Sequence, residues 1–395
     1  MRLRFILVCW SALLLLGMAL AGCSDFFPST TNNPSTTGFV YVLNQPSSGF
    51  GSISAFLADA NTGSLTPLLN SPFSVSTGAG MLATSMGGDA FGKFLFVLSK
   101  ASSGTPPGQV NGFVISQNST TLGQLTSAGS AVSTAAAPFA LAVDPGARSV
   151  YVLEGGTVEG FAINNGALSA LSGSPFDLGA ATGTTVNGST LIVAASGRFL
   201  FVGTNDGHIL SVPINSDATL QLTTSGGSSA VVVTAPLSGV ANVTSLFADP
   251  LVRFLYAVDG TRNLSGYGIN STTGGLTPIS ATPFTQSGML GPVHVAVDAR
   301  GIFVFTANKD SNNVSVFAIA GNGTLTQVLN SPFSVAPGTL PVSLTVDPSA
   351  NFLYVANNGT NTVSSFVIVS GGLTPSGTPT AVTGTGPVDV VASPL

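Results

Sequence analysis

The sequence predicts an all-β protein, a seven-bladed β-propeller of four-stranded blades. Three observations carry this: an aromatic strand motif recurs at a near-constant period, four short apolar segments fall within each period, and the two chain ends together supply one unit. The motif reads FVYVLN at 39–44, KFLFVLS at 93–99, RSVYVLE at 148–154, RFLFVGT at 198–204, RFLYAVD at 253–259, IFVFTAN at 302–308 and NFLYVAN at 351–357. Its aligned aromatics are Tyr41, Phe96, Tyr151, Phe201, Tyr256, Phe305 and Tyr354, separated by 55, 55, 50, 55, 49 and 49 residues. Such self-similarity is the mark of a chain built from one repeated supersecondary unit.

The last unit shows the internal division: PVSLTVDP, NFLYVANN, TVSSFVIV, then GGLTPSGT. Segments of four to eight residues, rich in Val, Phe, Tyr and Ile and bounded by Gly, Asn, Asp and Pro, read as strands. Four strands in about 50 residues is the size of a propeller blade. A blade has two apolar faces, so it stays dry only between neighbours, and a closed ring gives every blade two.

Closure is legible at the ends. The first unit, from Gly38, begins with the aromatic strand and lacks an inner one, while the C-terminus carries a surplus strand at Gly386-Pro387-Val388-Asp389-Val390-Val391. The expectation is that the last strand completes the first blade through ladder hydrogen bonds, covering an edge that would otherwise stay open. The propeller is thus expected to span 38–395.

Ahead of it stands an address. Arg2 and Arg4 precede an apolar run from Phe5 to Leu20, and Leu20-Ala21-Gly22-Cys23 ends it with small residues, the pattern of a secretory signal. The ending resembles the lipobox of bacterial lipoproteins, which implies cleavage after residue 22, acylation of Cys23 and anchoring to a membrane by its acyl chains. Residues 23–37, rich in Ser, Thr, Asn and Pro, read as a flexible tether. Ser24 after the cysteine implies, by the same resemblance, an exported cell-envelope lipoprotein of the outer membrane. Removal of Cys9 with the signal leaves one cysteine and no disulfide.

Composition excludes several partners. The chain carries 10 Lys+Arg against 15 Asp+Glu, and only 6% of its residues are charged. The basic residues beyond Arg4 are scattered, so no patch exists to neutralise a run of phosphates, and nucleic acid is excluded as a partner.

Repeated polar residues read as scaffold. Asp89, Asp144, Asp249, Asp298 and Asp347 each lie seven residues before the aligned aromatic, where a carboxylate accepts backbone N–H groups in a tight turn. Ser71-Pro72-Phe73, Ser174-Pro175-Phe176, Thr282-Pro283-Phe284 and Ser331-Pro332-Phe333 recur where an outer strand returns to the centre, with the Phe rings as wedges between blades.

These units, above all Val346-Asp347-Pro348 leading to Tyr354-Val355-Ala356-Asn357 and on to Val363-Ser364-Ser365-Phe366, resemble the YVTN-repeat and 6-phosphogluconolactonase-like seven-bladed propellers. The resemblance covers 38–395 and implies a family whose founding members act on sugar lactones. It also implies a site built from His and Arg at inner-strand starts and a Glu from a loop in the central blades. The matching positions are Ser189, Thr190, Thr244, Ser245 and Gly260. None can serve as acid or base, and lactone opening needs one near the carbonyl.

What chemistry remains lies eleven residues before each aligned aromatic, where the inner strand starts and faces the central channel: Ser85, Ala140, Thr190, Ser245, His294 and Ser343, with Asp389 as the blade 1 equivalent. His294, Ser343 and Asp389 fall on three consecutive blades, as candidate base, nucleophile and orienter; against this stands a merely polar, hydrated channel. Loops joining second to third strands open on the same mouth and place Glu154, Asp206, His208, Asp259, Arg262, Lys309 and Asp310 on its rim. That sparse mixed-charge face suits a small polar ligand, a glycan or a protein partner. Neither the Asp206 nor the Asp310 loop has the carboxylate count of a calcium site, and two His in different blades make no zinc site. The reading is therefore a monomeric, membrane-anchored binding module without metal or cofactor, with a lactonase-like hydrolase or isomerase as the alternative.

Overall fold

The structure, a computed structural model, describes residues 36–47, 50–75, 80–102, 108–224, 226–336, 338–382 and 384–395. The signal segment, Cys23 and the tether up to residue 35 lie outside the described residues. Thr36–Leu395 form one compact unit.

Seven antiparallel sheets are four strands deep, six of them ordered from inner to outer in chain sequence, and five of the seven gain a two-residue fifth segment on the third strand. The inner strands are Met81–Gly88, Ala140–Val143, Gly188–Val193, Ser245–Ala248, Pro292–Val297 and Pro341–Val346 for blades 2 to 7. Blade 1 takes its inner strand from the far end of the chain: Pro387–Pro394 pairs with Thr36–Asn44, Tyr41 opposite Val391 and Leu43 opposite Asp389. The ring is closed as the sequence predicts, although the first strand begins at Thr36, two residues before Gly38.

The second strands are buried on both faces, which is why they read as near-continuous apolar runs; Tyr41, Phe96, Tyr151, Phe201, Tyr256, Phe305 and Tyr354 are all fully buried. Three of these tyrosines also tie one blade to the next, with hydroxyls donating to Gly123 O at 2.8 Å, Ala218 O at 2.6 Å and Gly323 O at 2.9 Å. In every blade but the third, a phenylalanine two residues before the aromatic packs against a left-handed turn of the following blade. A side chain at Gly323, with φ +84°, would put its Cβ 2.6 Å from the Phe254 ring.

The repeated aspartates do what turn chemistry asks of them. Asp249 Oδ1 accepts the N–H groups of Arg253 and Phe254 at 2.6 and 3.1 Å, and Asp298 and Asp347 repeat the pattern. Arg148 and Arg253 bind their turn aspartates at 2.7 Å and reach the next blade at Gly197 O and Gly301 O. Each Ser/Thr of the four Pro-Phe motifs accepts a third-strand N–H through its hydroxyl, as Ser331 does from Val316 at 2.8 Å. Phe176 and Phe284 are buried in clusters that join blades 3 and 4 and blades 5 and 6.

Candidate functional site

Seven inner strands meeting at the axis leave a channel of about 420 Å³, and Ser85, Ala140, Thr190, Ser245, His294, Ser343 and Asp389 all line it. The register explains their placement. Pro292 pairs with Asn308, so each inner strand starts beside the end of its second strand, and the second-to-third turns crowd the same end.

Around this wall one blade's side chain accepts the next blade's backbone. Ser245 Oγ accepts Val295 N at 3.3 Å, His294 Nδ1 accepts Leu344 N at 3.5 Å, and Asp389 Oδ2 accepts Met86 N at 2.9 Å. Blades 5, 6, 7, 1 and 2 are linked in turn, because Ser343 Oγ donates to Asp389 Oδ1 at 2.8 Å. Val390 N adds a further bond to the same oxygen at 2.9 Å. Side chains here replace hydrogen bonds that separate inner strands cannot make with one another.

The structure therefore brings the His294, Ser343 and Asp389 positions to one stretch of wall, with a specific partition of contacts. Ser343 binds Asp389 directly, and His294 meets the backbone of the residue after Ser343. No hydrogen bond joins His294 to Ser343 or Asp389 among the described residues. Accepting at Nδ1 leaves the neutral ring's proton on Nε2. Both titratable groups keep some surface on the channel, yet the surrounding strands strip away water. Burial pushes the His294 imidazole below its usual range, against the attraction of Asp389. Burial raises the Asp389 carboxyl, opposed by His294 and by hydrogen bonds from Met86, Ser343 and Val390. At neutral pH His294 is an uncharged ring.

The positions matching the family's acid, base and cation are engaged in holding the frame. Ser189 Oγ donates to Gly203 O at 3.1 Å and Val243 O at 2.5 Å, and Thr244 Oγ1 donates to Val258 O at 3.1 Å. Gly260 turns with φ +74°.

Rim residues divide into three kinds. Asp259 is buried and caps its own turn, accepting N–H groups from Thr261 and Asn263 at 2.9 and 3.1 Å. Arg262 and Asp310 are exposed and Lys309 is half-buried, with no ion pair among the described residues. Glu154 is buried rather than solvated, its Oε1 accepting Ala136 N at 2.8 Å. Beside it lies an acid that the sequence reading passed over: Glu159 is also buried, and its Oε1 accepts Ala135 N at 3.1 Å. Neither Oε2 atom has a hydrogen-bond partner among the described residues. Burial, then the charge of Glu154, raises the Glu159 carboxyl above the usual range. The available signal was an acid inside the apolar run Val158–Phe161. Finally, Asp206 and His208 are in contact, with His208 Nδ1 3.0 Å from Asp206 Oδ1. Among the described residues no cluster of three or more His, Cys, Asp or Glu side chains could hold a metal ion.

The family described as lactonase, 7-bladed beta-propeller matches residues 214–391. No curated protein matches the chain. A putative 6-phosphogluconolactonase from Bacteroides fragilis superimposes with a TM-score of 0.70 at 19% identity, covering 92% of this chain and 99% of that one. One from Bacteroides uniformis gives 0.69 at 17% identity, covering 90% and 99%. The periplasmic gluconolactonase of Pseudomonas aeruginosa gives 0.67 at 18% identity, covering 90% and 98%. At these identities the likeness is one of fold.

Proposed function

We propose that the channel of this seven-bladed β-propeller binds rather than hydrolyses: a small polar ligand or partner surface is held at the mouth, on a protein anchored to the cell-envelope membrane through acylated Cys23. One observation carries the binding reading. The Ser343 proton is directed to Asp389 at 2.8 Å, a carboxylate already engaged by Met86 N and Val390 N, and His294 spends Nδ1 on Leu344 N, so no imidazole faces the serine hydroxyl. A Ser–His pair requires that contact. The lipobox-like Leu20-Ala21-Gly22-Cys23 supports the anchor.

A lactonase-like hydrolase is the second reading. It is favoured by the convergence of His294, Ser343 and Asp389 on one concave wall and by the likeness in fold to a putative 6-phosphogluconolactonase and a periplasmic gluconolactonase. Assay of the protein on a panel of sugar lactones beside His294→Ala separates the two. Binding predicts hydrolysis at the uncatalysed rate for both proteins; turnover that the substitution abolishes overturns it. For the anchor, labelled fatty acid should enter the protein and be lost in Cys23→Ala, with release from the membrane fraction. Label retained by the variant refutes the assignment.

A further inference from the structure

A second cavity, of about 460 Å³, opens beside the second-to-third turn of blade 4 and shares no lining residue with the channel. Its walls include Thr184, Asn187, Thr204, Asp206, His208 and Val233. We infer that this cavity is a binding site for a hydroxyl-rich ligand without negative charge, such as the end of a neutral or amino-sugar glycan.

The argument begins with Asp206. Its Oδ1 receives the Thr204 hydroxyl at 2.5 Å and lies 3.0 Å from His208 Nδ1. The hydroxyl of Thr204, then the imidazole of His208, hold this carboxyl below the usual range, so it is an anion at neutral pH. Both contacts fall on one oxygen, and Oδ2 makes no hydrogen bond among the described residues. Two-thirds of the Asp206 side chain is exposed, against 35% for His208. With Nδ1 turned to Asp206, Nε2 is the ring's remaining polar atom. The cavity therefore offers a carboxylate oxygen as acceptor, with a ring nitrogen, threonine hydroxyls and an asparagine amide around it. That is the complement of a ligand presenting several O–H donors.

Charge and shape narrow the class. No Lys or Arg lines the cavity, so nothing balances a ligand carboxylate or phosphate against Asp206. Val233, 46% exposed, and the buried Leu210 supply an apolar wall for the carbon face of a ring. The walls are held in place: Asn205 N bonds Asn187 O at 2.9 Å, joining the turn to the segment that leads into blade 4. The volume lies within the range of small-molecule pockets.

The chain has two histidines, which makes the site observable. Imidazole proton resonances of the protein would be followed by NMR, with His294→Gln assigning the lines. Probes are the methyl glycosides of glucose, galactose, mannose and glucosamine, and methyl glucuronide as the anionic control. The expected result is a saturable shift of the His208 line with at least one neutral or amino glycoside. Methyl glucuronide should bind at least about tenfold more weakly. So should the matched glycoside to Asp206→Asn, which keeps the side-chain shape and loses the charge. Unchanged unfolding of that exposed substitution checks the fold. The inference is overturned by no saturable shift with any glycoside, by glucuronide binding equally well, by undiminished binding to Asp206→Asn, or by a response of His294 alone. The last would place the ligand in the channel, so this inference and the channel reading fail separately.

Discussion

Blade 3 breaks the aromatic repeat in a way that predicts an energetic coupling. Phe39, Phe94, Phe199, Phe254, Phe303 and Phe352 each face a left-handed glycine of the next blade, namely Gly123, Gly166, Gly274, Gly323, Gly371 and Gly63. A Cβ on any of these would stand 2.3 to 2.9 Å from the ring, far inside the 3.5–4.0 Å of carbon contact. In blade 3 the phenylalanine is replaced by the buried Ser149, and the facing turn carries Ala218 at φ +68°. The missing ring is what makes room for the methyl group. Ser149→Phe alone should therefore gain about 1.5–3 kcal/mol from burial and lose about 1–3 kcal/mol to overpacking against Ala218, with a net effect near zero or unfavourable. Ala218→Gly alone relieves a left-handed strain of about 1–2 kcal/mol and returns about 0.5–1 kcal/mol to the unfolded chain's freedom. The double variant keeps the burial without the clash. Its stability should exceed the sum of the two single effects by about 1–3 kcal/mol, read from urea denaturation midpoints at constant m-value. Additivity within about 0.5 kcal/mol would refute the reasoning.

Further outcomes follow from the channel and from the buried acids. Asp389→Ala leaves Met86 N and the Ser343 hydroxyl without their partner, so it should cost about 2–6 kcal/mol at about 1–3 per orphaned group; a loss below 1 kcal/mol would mean the stitch is unimportant. Glu159→Gln should stabilise the protein at neutral pH by about 1–3 kcal/mol, since it removes a buried carboxylate with an unpartnered oxygen. Because the Glu159 pKa is raised on folding, the native protein binds the extra proton, so wild-type stability contributed by this group rises as pH falls from neutral toward 4.5, and the Gln variant lacks that slope. His294 has the opposite sign: its pKa is lowered on folding, so its contribution is complete above 6.5 and declines as pH falls below it, a decline that His294→Gln should remove in denaturation curves. Truncation before Pro387 opens blade 1 and should abolish cooperative unfolding of the whole ring; a retained sharp transition would contradict closure as the stabilising device.

Much of the candidate site was legible position by position. Counting eleven residues back from each aromatic places Ser85, Ala140, Thr190, Ser245, His294 and Ser343 on the channel, because strand alternation and a repeated register carry that information along the chain. The partners were not legible. Glu154 and Asp259 end their second strands and were placed on the channel rim, yet both are buried on backbone N–H groups, and Glu159 was passed over because one acid in an apolar strand gives no sign of its neighbour. His208 and Asp206 are two residues apart, but their contact depends on the shape of the turn and on Thr204 beneath it.

By itself the sequence determined the repeated strands, the turn aspartates of five units and the pairing of the chain ends, since each follows from comparing local patterning between units. Only the tertiary structure decided that Asp389 holds Met86 across 303 residues of chain, or that the Ser343 proton goes to Asp389 while His294 accepts Leu344 N. Register is written along a strand, whereas the gap and angle between neighbouring blades arise only when all seven close into a ring, and those set which side chains come within hydrogen-bond reach.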